Sequence, residues 1–161
     1  MDFAYTDIGI EQGGTVMQNH NYGTHPEIRD YGGEPLLFNI RHATNKNRNF
    51  RTALWTGKHL QLTLMSIPVS GDIGVEMHPN VDQFLRIESG RAKIYMGNCL
   101  SDLQEVAYGN QNDAILVPAG TWHNIVNVGN CALKIYSLYA PPQHPFGTVH
   151  ATKADAERDG H

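Results

Sequence analysis

Between Arg51 and Tyr139 the chain breaks into short strand-forming stretches, each stopped by a turn-forming residue. Residues 52–56 end at Gly57. Residues 59–68 alternate between two apolar-leaning faces, the pattern of a central strand. Residues 75–78 run into Pro79-Asn80, residues 83–88 end at Ser89-Gly90, and residues 92–96 end at Gly97-Asn98. Residues 105–108, 114–117, 123–127 and 133–139 complete the series, and Pro141-Pro142 breaks the last strand. About nine short strands with regularly spaced turns predict an all-β chain folded as a closed antiparallel barrel or jelly roll.

The flanks read differently. Residues 1–33 are rich in Gly, Asn, Asp and Tyr and predict a loosely ordered arm, within which Met17 is an alternative start. Residues 35–43 predict a short amphipathic helix with Pro35 in its first turn and Leu36, Leu37, Ile40 and Ala43 on its buried side. After the barrel, Thr152 followed three residues later by Asp155 marks the start of a short polar helix over 153–158. The expected organisation is an arm and helix (1–50), a barrel (51–142) and a C-terminal loop and helix (143–161), without internal repeats or low-complexity tracts.

Composition narrows the function. A chain of 161 residues with 40% hydrophobic and 17% charged residues is long enough for one domain with its own core. A net charge of −4 without a basic run argues against nucleic acid and leaves a small-molecule or carbohydrate ligand open. No apolar run reaches the roughly 18 residues of a membrane span. Cys99 and Cys131 lack metal spacing. Without a signal peptide they are expected to be reduced, buried thiols in a cytoplasmic protein.

Two segments carry the chemistry. In Asn112–Asn127 an apolar run stops at Pro118-Ala119-Gly120, and His123 follows at the start of the next strand. Upstream, Glu76 and His78 are two apart and share a strand face, and the Pro79-Asn80 turn brings Gln83 back. Glu76, His78, Gln83 and His123 are therefore candidate ligands for one divalent metal ion.

This pair of segments resembles the cupin superfamily. In its first motif Glu76 stands at the first His position, His78 at the second and Gln83 at the Glu position, with Gly90 closing after six residues. In the second, Pro118, Gly120, His123 and Asn127 fit at every spacing, and Asn112 replaces the usual Gly. Asn tolerates positive φ, so that turn can survive. The resemblance covers residues 55–140 and is similar to small single-domain, phosphomannose isomerase-like cupins. It implies a double-stranded β-helix (jelly-roll) barrel with short N- and C-terminal helices, a homodimer, and one bound Zn, Mn, Fe or Ni. His has become Glu at one ligand position and Glu has become Gln at another, so the ligand set keeps one negative charge, as expected for retained metal binding.

Several roles stay open at this level. Glu76 could be a ligand or a general base, and Gln83 a weak oxygen ligand or a hydrogen-bonding neighbour. Asn127 reads as structural. Leu85 and Ile87 share the parity of Gln83 and form an apolar wall, whereas Arg86 points away. Tyr95 and Tyr136 could reach the pocket or face outward. Trp55 and Trp122 face outward and suggest a homodimer. The loop carrying His144 and His150 either folds over the barrel mouth or lies on the surface. Three functions follow: a metal-dependent isomerase or related enzyme on a sugar or sugar acid, a non-haem Fe(II) dioxygenase, or a non-enzymatic binding module. Lacking a Gly-rich cradle or an Arg-Lys clamp, the sequence suits a non-phosphorylated sugar or uronate at least as well as a sugar phosphate.

Overall fold

The computed structural model describes residues 25–160. Most of the expected N-terminal arm, with Met17, lies outside the described residues. Helix α1 (Ile40–Lys46) precedes β1 (Arg51–Thr56) and β2 (Gln61–Ile67), followed by β3 (Asp82–Ser89), β4 (Ala92–Gly97) and β5 (Gln104–Gly109). Then come β6 (Ala114–Val117), β7 (Trp122–Asn127), β8 (Leu133–Ala140), β9 (Val149–His150) and helix α2 (Lys153–Arg158). Six strands form one sheet in the order β6-β3-β8-β2-β1-β9, and three form a second in the order β5-β4-β7. Every pairing is antiparallel, as the jelly-roll expectation requires.

The inward face of the large sheet is set by register. Met65 lies opposite Ile135, and Ile135 opposite Ile87. These side chains pack with Leu85, Leu133 and, from the small sheet, Ile94 and Ile125. The alternate residues Leu62, Leu64 and Tyr136 face the other way, where Ala43 of α1 and residues Ile28, Tyr31, Phe38 and Ile40 cover them. β2 is thus packed on both faces, which is why its sequence lacks a clean apolar–polar alternation. At the open end, three polar or aromatic residues form one row across adjacent strands: Gln61 opposite Tyr139, and Tyr139 opposite Gln83. Gln61 is saturated. Its Oε1 accepts from the backbone N–H of His144 (2.9 Å) and Gln143 (3.2 Å), and its Nε2 donates to the His144 carbonyl (2.8 Å). This holds the post-barrel loop against the mouth.

The structure corrects three expectations. The first helix begins at Ile40, not Pro35, because the Asn39 side chain caps it by accepting from the His42 N–H at 2.9 Å. Leu37 is left exposed outside it. Residues 75–78 do not form a strand. Gly74 adopts φ +91°, and the stretch meets β7 through isolated bridges at Asp72 and Glu76 rather than a continuous ladder. The ninth strand is instead Val149–His150, pairing with β1. Cys99 and Cys131 are free but exposed, because both sit in turns at the surface. Trp55 is half-buried against the cluster outside the barrel, and its indole N–H donates to the Glu34 carbonyl at 2.7 Å. The C-terminal helix is as expected, with Thr152 and Asp155 forming a reciprocal capping box. Among the described residues no helix is long and apolar enough to cross a membrane.

Candidate metal centre

The turn before β7 builds half of the site. Thr121 donates its N–H back to the Pro118 carbonyl at 3.1 Å, and Gly120 takes φ +80°, a value that suits glycine. Gly120 then donates to the His78 carbonyl at 2.8 Å. Glu76 and His123 exchange both backbone hydrogen bonds, at 3.0 and 2.9 Å. The two sequence segments are thereby stitched together by main-chain atoms. Asn112 adopts φ +75°, as its substitution for glycine requires.

Three side chains converge on one point. Glu76 Oε1 lies 3.4 Å from His78 Nε2 and 3.3 Å from His123 Nε2. One ligating atom from each residue falls within 4.8 Å of the others. His123 is fully buried and His78 nearly so. His123 Nδ1 lies 3.0 Å from the Thr121 carbonyl, so the proton belongs on Nδ1 and the Nε2 lone pair faces Glu76. Gln83 enters from the opposite sheet. Its Nε2 donates to Ser137 Oγ at 2.9 Å, which leaves Oε1 buried without a hydrogen-bond partner. Glu76 Oε1, His78 Nε2 and His123 Nε2 also lack partners of hydrogen-bonding geometry. Buried acceptors are rarely left unpaired, and three of them converging, from Glu76, His78 and His123, is the chemistry of a site that could hold a cation.

Electrostatics agree. Burial works to raise the Glu76 pKa, but the adjacent His123 and His78 side chains and the nearby Arg51 charge outweigh it. The carboxyl is held well below the usual carboxylate range. A carboxylate with a depressed folded-state pKa stabilises the fold above its unfolded value and loses that contribution as pH falls below it. Metal-free protein is therefore expected to lose thermal stability as pH drops below about 4.5. In Glu76→Gln the melting temperature should fall less steeply over the same range. Parallel profiles for the two proteins would sink this assignment.

The remaining candidates are sorted by strand parity. Leu85 and Ile87 are fully buried and face inward, and Arg86 faces out toward Asn112. Tyr136 belongs to the outer cluster, stacked near Phe84 at 6.2 Å, and Tyr95 has the outward parity of β4 beside the buried Ile94. Neither tyrosine lines the centre. Asn127 holds three backbone carbonyls rather than a ligand. His144 is buried and lies edge-on to Tyr139 at 5.0 Å, so its loop folds inward over the mouth. His150 is buried elsewhere, with Nε2 3.0 Å from Asp159 after α2.

Sequence reasoning missed four contributors. Tyr139 is fully buried and lies edge-on to His78 at 5.7 Å. Gln61 and Thr63 occupy the inward face of a central strand. A polar residue at such a position is a signal that could have been used. Arg51 is 1% exposed, and its Nη2 lies 3.9 Å from Glu76 Oε2. Following an Asn-rich tract, a charged residue there reads as surface, and no local pattern marks it as interior. The barrel thus holds a cation that the sequence reading left out.

Comparison with known proteins places these features in a family context. Residues 63–139 match the Cupin domain family. The uncharacterized protein YrkC of Bacillus subtilis (strain 168) is 60% identical over 129 residues, covering 80% of this chain and 69% of that one. The uncharacterized protein L612 of Acanthamoeba polyphaga mimivirus is 38% identical over 125 residues, covering 77% and 76%. The crystal structure of BH2720 from Bacillus halodurans superposes with a TM-score of 0.80 at 56% identity, covering 81% of this chain and 99% of that one.

Proposed function

This chain belongs to the cupin family, and on that premise we propose that Glu76, His78 and His123 hold one divalent metal ion, with Gln83 Oε1 as a neutral fourth ligand. The observation that carries the reading is the convergence of Glu76, His78 and His123, whose ligating atoms, like Gln83 Oε1, are buried without partners. Two imidazoles and a carboxylate suit Zn, Mn, Fe or Ni and leave positions open for a ligand.

The reaction that fits best is isomerase-like chemistry on a small sugar or sugar acid. When bound, the metal supplies Lewis acidity that polarises a carbonyl. The chain's own residues supply a proton donor and a shielded mouth. Tyr139 stands beside His78, and burial pushes its hydroxyl pKa up, against the opposing pull of Arg51, so it serves as a neutral donor. The loop held by Gln61 limits water at the mouth. Glu76, with its low proton affinity, suits ligation better than proton abstraction.

A second reading, the Fe(II) dioxygenase, draws support from the apolar floor of Leu85 and Ile87, both fully buried beneath the centre. One experiment separates them. Metal-loaded protein is incubated in D2O with a panel of aldoses and uronates, and proton exchange at C2 is followed by NMR alongside oxygen uptake. Exchange without oxygen uptake is the expected result. Oxygen uptake without exchange favours the dioxygenase, and neither signal favours a binding module.

A further inference from the structure

We infer that Arg51 anchors a carboxylate of the ligand at this centre, so that the substrate class is a small acid bearing an oxygen on the carbon next to its carboxylate. The inference rests on the metal reading for the ligand's second oxygen, and on Arg51 alone for the carboxylate.

The first argument is burial. A guanidinium that is 1% exposed has lost its hydration, which is costly unless a counter-charge and hydrogen bonds replace it. Arg51 has neither in full. Among the described residues, Glu76 is the one carboxylate within ion-pairing distance, at 3.9 Å from Nη2, too long for a hydrogen bond. Arg51 Nε and Nη1 have no hydrogen-bond partner at all. Buried donors of this kind call for an acceptor, and the planar guanidinium fork matches a carboxylate better than a hydroxyl.

The second argument is charge. Glu76 carries one negative charge and faces both the candidate metal position and Arg51. Once a divalent ion takes that carboxylate, this centre would hold three positive charges against one negative. A neutral sugar leaves this excess in place. An anionic ligand reduces it, and a hydroxy acid that also binds through its alkoxide or hydroxyl oxygen reduces it further.

The third argument is span. Glu76 meets His78 and His123 with Oε1 and faces Arg51 with Oε2. The two cationic points are therefore no farther apart than a single carboxylate can bridge. A ligand that spans the same points needs its carboxylate adjacent to its chelating oxygen, which describes α-hydroxy and α-oxo acids and excludes long-chain acids whose two functions are far apart.

The test uses glycolate and its neutral analogue glycolamide as probes, titrated calorimetrically into the metal-reconstituted full chain. Metal content is counted on the same samples. In the wild type, glycolate is expected to bind at least about tenfold more tightly than glycolamide, the scale of one charge-assisted bidentate contact. Arg51→Met should bring glycolate down to the glycolamide level without changing glycolamide binding or metal content. Arg51→Lys, which keeps the charge and loses the fork, should fall between them. Equal affinities in the wild type, a comparison that needs no variant, overturn the inference. So does a glycolate preference that survives in folded Arg51→Met. A sample that takes up no metal overturns the metal reading alone, because glycolate preference and its loss in Arg51→Met can still be read there and still decide the role of Arg51.

Discussion

Purified protein is expected to carry about one transition-metal ion per chain, and His78→Ala/His123→Ala to carry none. The argument is one of unpaired acceptors. His78 Nε2, His123 Nε2 and Glu76 Oε1 are buried and converge, and each lacks a partner of hydrogen-bonding geometry. Removing both imidazoles leaves a single carboxylate and a carboxamide, too few donors to hold a first-row ion against buffer. Elemental analysis of protein prepared without chelator reads the outcome directly. Gln83→Ala should keep its metal but hold it roughly tenfold more weakly, because a neutral oxygen ligand contributes less than an imidazole. A wild type that is metal-free under these conditions, and stays so after incubation with Zn, Mn, Fe and Ni, rejects the proposed centre.

The second large effect is on stability. Asn127 is 1% exposed, and its Nδ2 lies within hydrogen-bonding distance of the carbonyls of Ile67 (3.0 Å), Pro68 (3.1 Å) and Cys131 (2.9 Å). Its Oδ1 accepts from the Gly129 N–H at 2.9 Å. One carboxamide therefore ties the ends of β2 and β7 to the turn that leads into β8. Asn127→Ala removes the partner of one buried and three part-buried backbone groups and is expected to cost about 3 kcal/mol. For a chain of this size that lowers the melting temperature by about 10 °C. Asn127→Asp is the sharper variant. It keeps the shape and the acceptor, but its carboxylate cannot donate to three carbonyls and meets them with like partial charge. It should be at least as destabilised as Asn127→Ala. A loss below about 0.5 kcal/mol in both variants, typical of an ordinary surface site, contradicts this role.

The jelly roll was legible because its information is local. Turn residues punctuate the chain, and β6 falls on 114–117 as the apolar run ending at Pro118 suggests. His123 and Asn127 were legible because the Pro-Ala-Gly turn fixes where β7 starts, and parity then fixes which way each residue faces. The first helix was misplaced because Pro35 and Asn39 both offer a start, and the Asn39 side chain wins by satisfying a real N–H. The strand at 75–78 failed because one residue, Gly74, turns the backbone where periodicity alone sees none. Arg51 was invisible for a different reason. Its burial depends on strands far along the chain closing around it, and nothing in residues 44–52 reports that event.

The backbone exchange between Glu76 and His123 has a thermodynamic consequence. Both N–H groups donate to the other residue's carbonyl, so these residues are held together by the main chain before any ligand arrives. The entropy of gathering them is lost during folding, not during binding, which leaves less to lose when an ion enters. Gly120 secures the backbone of His78 to the same frame. Adjustment to ions of different radius would then be left to side-chain torsions, including that of the proposed fourth ligand Gln83 on the opposite sheet. On the proposed reading the scaffold would set how tightly an ion is held, and small side-chain rotations would set which ion fits.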